Sequence, residues 1–243
     1  MTLTLIVPCF NEAERLDLDA FRLFDGGLVD FLFVDDGSTD GTAALLDGLV
    51  ARDPSRFRVL TLDRNSGKAE AVRQGMLLAV KAAPDYLGFI DADLSTGLDE
   101  IPAMVALLDA RPEVLGVLGS RVRLLGRRID RRMGRHYAGR IFATMVSLVL
   151  QLPVYDTQCG AKCFRATPAV AALFEEPFLA RWIFDVELLA RFLRLAAADG
   201  LEPGQILVEH PLTEWNEVSG SKMRLRHGFR ALIDLLRIRR RYR

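Results

Sequence analysis

Short apolar runs alternate with helix-like stretches through the first half of the chain. The runs are long enough for strands and lie at 3–10, 31–37, 57–63, 86–93 and 114–121. Apolar residues recur at helical spacing in the stretches between them, at roughly 12–24, 41–51, 68–82 and 99–110. Strands that alternate with helices form βαβ units. The pattern therefore predicts an α/β fold with a mostly parallel central sheet flanked by helices.

The second half of the chain has a different pattern. Residues 121–140 hold eight arginines and one acidic residue, and they run directly into the apolar stretch 141–150. Near the C-terminus, arginines surround apolar residues at helical spacing, namely Leu225, Phe229, Leu232, Ile233 and Leu236. These patterns predict basic amphipathic helices. Each helix either docks on the core as an ordinary surface helix or lies on a membrane with its basic side toward lipid phosphate, and we expect membrane contact.

The end of the chain adds two further elements to the prediction. A helix is expected at 181–198, the loop-like stretch AAADGLEPGQ follows at 196–205, and a last strand is expected at 206–215. The chain has 243 residues, of which 50% are hydrophobic. This length and composition suit one large α/β domain over residues 1–243.

Charge is divided unevenly along a chain whose formal net charge is zero. Residues 1–120 carry 20 acidic and 10 basic side chains, whereas residues 121–243 carry 12 and 22. The acidic half suits a metal ion, and the basic half suits phosphates or an anionic membrane surface. The arginine run lacks the interleaved aromatic residues of a nucleic-acid stacking platform, so we expect no nucleic-acid partner.

Cysteines and apolar stretches bear on the compartment. Cys9, Cys159 and Cys163 lack the further Cys or His residues of a zinc site, so we expect reduced thiols. The first strand begins without the basic segment of a signal peptide. The longest apolar stretch, 141–154, is shorter than the roughly 18–20 residues that span a bilayer. We expect a cytoplasmic protein that is peripheral at the inner face of the membrane.

Polar side chains follow three of the predicted strands. The pairs are Asn11 with Glu12, Asp35 with Asp36, and Asp91 with Asp93. Because the carboxyl ends of parallel strands share one edge of a sheet, the three pairs should meet at a ligand site. Mg²⁺ and Mn²⁺ prefer oxygen ligands and often complete their coordination with substrate phosphates. Asp91 and Asp93 therefore predict a divalent-metal site that works together with a diphosphate.

Several motifs appear in a fixed order, namely IVPCFNEAERL at 6–16, VDDGSTDGT at 34–42, NSGKAEAVRQG at 65–75, DADLS at 91–95 and GSR at 119–121. Together they resemble family 2 glycosyltransferases of the GT-A fold. Three later motifs resemble dolichyl-phosphate glucosyltransferases: DTQCGAKCF at 156–164, RWIFDVELL at 181–189 and EVSGSK at 217–222. Dolichyl-phosphate mannosyltransferases share the first half of the chain more than these later motifs.

The resemblance implies an inverting, metal-dependent enzyme that uses Mg²⁺ or Mn²⁺ and transfers glucose from UDP-glucose to a polyprenyl phosphate. Residues 1–120 would bind the nucleotide sugar, and residues 121–243 would face the acceptor and the membrane. Two alternatives stay open within the family: a soluble enzyme acting on a sugar hydroxyl, and a polyprenyl-phosphate mannosyltransferase using GDP-mannose. A non-catalytic binding module is disfavoured because Asp91, Asp93 and Asp185 are intact.

The resemblance also assigns residues to the nucleotide sugar, namely Pro8, Asn11, Glu12, Asp35, Asp36, Lys68 and Asp91. Glu12 would accept hydrogen bonds from the ribose, and Asp35 or Asp36 would accept one from the base. Lys68 begins a predicted helix, where its ammonium either meets the donor or is an ordinary surface charge. At the predicted metal site, Asp93 is expected to be the more direct ligand. Relatives have glutamine at the position of Ser95 in the same motif.

The resemblance places phosphate-binding and catalytic residues in the second half. Arg121 and Arg135 match two arginines that hold the donor and acceptor phosphates in mannosyltransferase relatives, and Lys222 would join them. Asp185 and Asp156 each match a residue proposed as the base in relatives, and we favour Asp185 because we expect it closer to the acceptor. A lipid phosphate is already ionised near neutral pH and hardly needs a base.

Overall fold

Strands and helices alternate along the protein in a computed structural model that describes residues 1–27, 29–130, 133–218 and 225–242. The strands are β1 (Leu3–Cys9), β2 (Val29–Asp35), β3 (Phe57–Thr61), β4 (Tyr86–Phe89), β5 (Gly116–Ser120), β6 (Arg128–Asp130), β7 (Lys162–Arg165), β8 (Leu207–Pro211) and β9 (Glu214–Asn216). The helices are α1 (Leu18–Leu23), α2 (Thr42–Arg52), α3 (Lys68–Ala79), α4 (Glu100–Ala110), α5 (Met133–Leu150), α6 (Pro168–Ala172), α7 (Phe184–Ala198), α8 (Pro203–Ile206) and α9 (Leu225–Tyr242).

In the part of the chain that the structure describes, seven strands form a central sheet in the order β3-β2-β1-β4-β7-β5-β8. Every neighbouring pair is parallel except those of β7, which runs antiparallel to both β4 and β5. The predicted α/β fold with a mostly parallel sheet is confirmed. The chain moves from β1 through β2 to β3 on one side and then crosses to β4 on the other side of β1. Ligand crevices form at such a reversal, outside the carboxyl ends of the strands.

Both faces of the sheet are buried, which explains the continuous apolar runs of the sequence. On β1 and β2, alternate side chains pack into two separate cores. Val7 and Phe33 belong to one core, whereas Ile6 and Val34 lie on the other face with Met76 of α3. All five side chains are fully buried. Because the strands are apolar along their length, the polar residues that follow them concentrate at the edge of the sheet.

The predicted helix at 12–24 begins too early. The structure has a helix only over Leu18–Leu23, where the Asp17 side chain accepts a hydrogen bond from the Ala20 N–H. Asn11 adopts a left-handed conformation with φ of 52°, and the Glu12 N–H donates to Thr42 Oγ1 at 2.9 Å. These contacts turn the chain across the edge of the sheet before the helix can begin.

The predicted strand at 206–215 is two strands. The chain ends β8 at Pro211, and β9 then pairs with β6 in a separate two-stranded sheet. Glu100 Oε1 accepts hydrogen bonds from the Thr213 N–H at 2.5 Å and the Glu214 N–H at 3.1 Å, which fixes the bend. Strand β7 was not expected from the sequence, because a buried lysine stands at its first position.

The basic amphipathic C-terminal helix is confirmed as α9. Its Ala231, Leu235 and Ile238 are buried in a core shared with α5 and α7, whereas Leu232, Ile233 and Leu236 are exposed. The side chains of Leu225 and Phe229 lie outside the described part of the structure. Helix α5 joins the end of the arginine run to the apolar stretch. Among the described residues, no helix is both long and apolar enough to cross a bilayer.

Candidate active site

The edge of the sheet at the crossover between β1 and β4 gathers the residues that follow these strands. Two non-glycine residues there have left-handed backbones, Asn11 after β1 with φ of 52° and Leu94 after β4 with φ of 48°. Asparagine tolerates this conformation, but a leucine is strained by about 1 kcal/mol. The Asp93 side chain holds the turn by accepting a hydrogen bond from the Ser95 N–H at 3.1 Å. Backbone strain of this kind concentrates at functional sites.

Lys68 meets the aspartates that follow β4. It is the first residue of α3, and its Nζ lies 2.5 Å from Asp91 Oδ1. Burial alone would lower the pKa of Lys68, but the charges of Asp91, Asp185 and Asp93 outweigh burial and raise the pKa above its ordinary value. The structure therefore brings Lys68 and three predicted site aspartates together, and Lys68 is more than the simple surface charge that the sequence left open.

Asp35 and Asp36 lie at the end of β2 and are buried. Asp36 accepts hydrogen bonds from the Ser66 and Gly67 N–H groups, each at 2.7 Å, and so holds the turn that begins α3. Burial raises the pKa of Asp36, although these two hydrogen bonds oppose the shift. Asp35 Oδ1 accepts a hydrogen bond from the Ser38 N–H at 2.9 Å. Both carboxylates shape the loops around the predicted nucleotide pocket.

The residues after β1 connect to the same loops. Asn11 Oδ1 accepts a hydrogen bond from the Thr39 N–H at 2.8 Å, which joins the loops that follow β1 and β2. Glu12 Oε1 forms an ion pair with Arg15 at 2.5 Å. Pro8 lies on β1 opposite Val34 of β2, so it is positioned one residue before the edge. The predicted nucleotide-binding residues of the two strands are thus neighbours in space.

Arg121, which is partly buried, and Asp156, which is buried, form a two-pronged ion pair. Arg121 Nε lies 2.6 Å from Asp156 Oδ2, Nη2 lies 2.8 Å from Oδ1, and the Arg121 N–H also donates to Oδ2 at 3.1 Å. Burial favours the neutral acid, but the guanidinium outweighs it and holds the pKa of Asp156 well below its usual range. Burial would lower the pKa of Arg121, but the charge and hydrogen bonds of Asp156 outweigh burial and raise the pKa. Asp156 is therefore a very weak proton acceptor.

Asp185 lies in the first turn of α7 and is also paired with a cation. Its Oδ1 lies 2.5 Å from Nζ of Lys162, a side chain with no exposed surface. Lys162 lies within the motif DTQCGAKCF, but no role was predicted for it. The sequence signal that could have identified it is a lysine among small and apolar residues. A lysine in such a segment becomes buried, and a buried lysine needs a specific partner.

Arg181 is a second residue near the site for which the sequence predicted no role. Its Nε donates a hydrogen bond to the Ser66 carbonyl at 3.1 Å, and the guanidinium lies over Gly67. Its charge also acts on Asp36. Arg181 is the first residue of the motif RWIFDVELL, and its place in this motif was the only indication of a role in the sequence. Arg181 therefore lies beside the predicted nucleotide pocket.

Two predicted phosphate-binding residues are not placed by the structure. Lys222 lies outside the described residues. The backbone of Arg135 belongs to α5, but its side chain lies outside the described part. Of the three predicted phosphate ligands, Arg121 alone has a described side chain, and that side chain is at the site.

Asp91 and Asp93 are the predicted metal ligands. Among the described residues, no group of three or more His, Cys, Asp or Glu side chains is arranged to hold a metal ion. Asp91 and Asp93 offer two carboxylates at the crossover, next to the cation of Lys68. Mg²⁺ is commonly bound by one or two carboxylates together with substrate phosphates. The two aspartates fit a divalent ion that binds together with a diphosphate.

Comparison with known proteins assigns the family. The family model described as Glycosyl transferase family 2 matches residues 4–169, well over half of the chain. The protein belongs to glycosyl transferase family 2, as its motifs predicted, and it is a hexosyltransferase.

Several curated relatives share the name dolichyl-phosphate beta-glucosyltransferase. The one from Drosophila melanogaster is 35% identical over 239 aligned positions, covering 92% of this chain and 69% of the relative. One from Trichomonas vaginalis is 30% identical over 250 positions, covering 97% and 70%. The human one is 30% identical over 239 positions, covering 91% and 69%. The similarity therefore extends over both halves of the chain.

Solved structures share the fold at lower identity. Glucosyl-3-phosphoglycerate synthase from Mycobacterium tuberculosis, in complex with UDP, aligns with a TM-score of 0.65 at 20% identity, covering 98% of this chain and 80% of that one. A mannosyltransferase from Pyrobaculum calidifontis, in complex with GDP-mannose and Mn²⁺, aligns with a TM-score of 0.63 at 20% identity, covering 98% and 64%. The predicted GT-A fold is confirmed.

Proposed function

We propose that the protein transfers glucose, with inversion, from UDP-glucose to a polyprenyl phosphate, with Mg²⁺ or Mn²⁺ bound at Asp91 and Asp93. The observation that carries this proposal is that both candidate bases are already paired with cations. Asp156 is paired with Arg121, and Asp185 is paired with Lys162. A site of this kind suits an acceptor that brings its own negative charge.

The contrast between the two kinds of acceptor follows from proton chemistry. A sugar hydroxyl must lose a proton as it attacks, so it needs a general base within reach. A phosphate monoester is ionised near neutral pH and attacks directly through oxygen. The low pKa of Asp156 makes it a poor base, which supports the phosphate acceptor over the hydroxyl acceptor. Asp185 remains the favoured base if a base is required.

The residues of the chain have separate tasks in this mechanism. A divalent ion held by Asp91 and Asp93 would supply positive charge to the departing diphosphate. Lys68 and Arg121 bring fixed positive charge to the same edge of the sheet, and such preorganised charge is usually the largest contribution to catalysis. Arg135 and Lys222 are proposed to bind phosphate beside Arg121.

Recognition of the nucleoside is proposed for the loops after β1 and β2. Glu12 would accept hydrogen bonds from the ribose, and Asp35 or Asp36 would accept one from the base. Pro8 and Asn11 would line the pocket. Arg181 adds a cation at its border.

The choice of UDP-glucose over GDP-mannose is supported by the relatives. Three relatives that align with nearly the whole chain are named as dolichyl-phosphate beta-glucosyltransferases. The fold does not decide between the donors, since solved neighbours contain UDP-glucose with Mn²⁺ in one case and GDP-mannose with Mn²⁺ in another. The donor therefore needs a direct measurement.

A membrane-facing surface is proposed on α5 and α9. Tyr137, Ile141 and Leu148 are 60%, 64% and 73% exposed, and their spacing places them along one side of α5. On α9, exposed Leu232, Ile233 and Leu236 are accompanied by exposed arginines, namely Arg230, Arg237, Arg239, Arg240 and Arg241. Apolar side chains flanked by arginines suit the headgroup region of an anionic membrane. We propose binding at the inner face of the cytoplasmic membrane.

The decisive experiment is a donor and acceptor screen with purified protein. UDP-glucose and GDP-mannose are each incubated with polyprenyl phosphate, with the unphosphorylated polyprenol, or with no lipid, in Mn²⁺ or in EDTA. We expect a glucosylated lipid only from UDP-glucose, polyprenyl phosphate and Mn²⁺ together. Formation of mannosylated lipid alone would contradict UDP-glucose as the donor. Equal turnover without the lipid would contradict polyprenyl phosphate as the acceptor. Full activity in EDTA would contradict the metal requirement.

A further inference from the structure

Lys162 is the first residue of β7 and is fully buried between β4 and β5. Its Nζ lies 2.5 Å from Asp185 Oδ1, 2.7 Å from the Cys159 carbonyl and 3.4 Å from the Thr157 carbonyl. An ammonium group has three N–H donors, and three acceptors surround this one. A buried lysine is tolerated only with such partners, because leaving water is costly for a charge.

These contacts join two parts of the site that are distant in sequence. Asp185 belongs to α7, whereas the two carbonyls belong to the loop over residues 156–161. That loop also contains Asp156, the partner of Arg121, and Gly160, whose α-carbon lies against the carboxylate of Asp91. Lys162 therefore ties Asp185, whose charge acts on Lys68 beside Asp91, to the loop that contacts a proposed metal ligand.

We infer that Lys162 is a positioning residue for glycosyl transfer, which holds the Asp185 carboxylate in place and fixes the loop over 156–161 against Asp91. It is too deeply buried to touch a substrate. The inference rests on the proposed function, because it takes Asp185 to be at the reacting centre. The nucleoside pocket lies on β1 and β2, on the far side of β4 from β7, so Lys162 should affect turnover much more than donor binding.

A double-mutant cycle tests this inference with Lys162→Met, Asp185→Asn and the two combined. Methionine removes the charge and keeps an unbranched side chain. We expect each single variant to lower kcat by at least roughly 30-fold, with KM for UDP-glucose changed less than threefold. If the two residues act as a unit, the double variant should be no slower than the slower single variant.

Thermal unfolding of the same proteins separates this role from a purely structural one. Lys162→Met leaves a buried carboxylate unpaired and should lower Tm by about 8 °C or more. The double variant removes both charges and should recover at least half of that loss, while its kcat stays low. Recovery of kcat together with Tm would overturn the positioning role. Lys81→Met, at an exposed lysine, is the matched control and should leave kcat and Tm unchanged.

Two further outcomes would overturn the inference: a folded Lys162→Met protein with kcat within threefold of wild type, or losses in kcat that multiply in the double variant. The proposed function is tested separately, by sugar transfer with the wild-type protein in the donor and acceptor screen. If it transfers no sugar to polyprenyl phosphate, the Tm values still decide the link between the residues. Losses in Tm that simply add would show that Lys162 and Asp185 are not coupled.

Discussion

The α-carbon of Gly160 lies directly against the carboxylate of Asp91. A Cβ built on Gly160 would stand 2.0 Å from Asp91 Oδ2 and 2.3 Å from Cγ, far inside van der Waals contact. The backbone of Gly160 is not among the left-handed glycines, so glycine is needed here for space rather than for conformation. The loop over 156–161 thus sets the position of a carboxylate that follows β4.

Gly160→Ala should therefore displace Asp91 and impair catalysis. Misplacement of a reacting group by about 1 Å can cost roughly 100-fold in rate, and we expect a loss in kcat of that order. Steady-state kinetics of the purified variant measure it. The matched control is Gly48→Ala in α2, where a Cβ meets nothing within 4 Å, and its kcat should equal that of wild type. If Gly160→Ala turns over as fast as wild type, the position of Asp91 does not matter for catalysis.

Asp156→Asn should destabilise the protein in a pH-dependent way. Removing one partner of a buried ion pair costs about 3–5 kcal/mol. Arg121 holds the pKa of Asp156 below the ordinary value of about 3.9, so the pair stabilises the protein fully above that pH and loses its effect as pH falls below it.

Thermal unfolding measured across pH tests the direction of this pH dependence. The difference in Tm between wild type and Asp156→Asn should be constant from about pH 8 to 5 and should shrink below about pH 4. Asp47→Asn is the control, because that carboxylate is exposed on α2. A Tm difference that grows toward low pH would contradict the ion-pair account.

Asp93→Asn should weaken the response to metal. We expect turnover to fall roughly 100-fold at saturating UDP-glucose, since a ligand of the proposed ion is lost and charge on the departing diphosphate is less stabilised. Titration with Mn²⁺ should show a higher metal requirement, whereas UDP affinity in EDTA should be unchanged. Asp99→Asn, an exposed change before α4, is the control. Wild-type turnover by Asp93→Asn would exclude this residue as a ligand.

Replacement of the exposed apolar residues of α9 should reduce membrane binding. The double variant Ile233→Glu/Leu236→Glu places two negative charges on the proposed surface, and we expect at least a tenfold loss of binding to anionic vesicles. Co-sedimentation at low and high salt measures it, and the wild-type protein should bind less at high salt. Leu23→Glu, at a side chain 73% exposed on α1, should bind as wild type does. Equal binding by both variants would place the membrane contact elsewhere.

The sequence predicted the first half of the fold closely because local pattern and tertiary structure agree there. The runs at 3–10 and 57–63 became β1 and β3, and the stretch at 68–82 became α3 with a short 3₁₀ turn. The aspartates after β2 and β4 came together at the edge of the sheet because parallel strands end on one side. Apolar periodicity and the alternation of strands with helices were sufficient for these elements.

The second half was less predictable because contacts distant in sequence decide its structure. Lys162 opens a strand that no pattern of apolar residues indicates, and it is stable there only because Asp185 arrives from α7. In the first half, the helix predicted at 12–24 begins only at Leu18 for a similar reason, since the turn after Asn11 is held by residues after β2. Pairings of this kind leave no periodic signal, and only the motifs pointed to the residues involved.

The reversed direction of β7 has a consequence for how the enzyme can diversify. The strands that flank β7, β4 and β5, end at the edge of the sheet that holds the candidate site, whereas the antiparallel β7 begins there. The long segment between Arg121 and Lys162 therefore starts and finishes at the same edge. Insertions within that segment leave the sheet register intact. We expect proteins that share a donor pocket to acquire new acceptors through changes in the segment between Arg121 and Lys162.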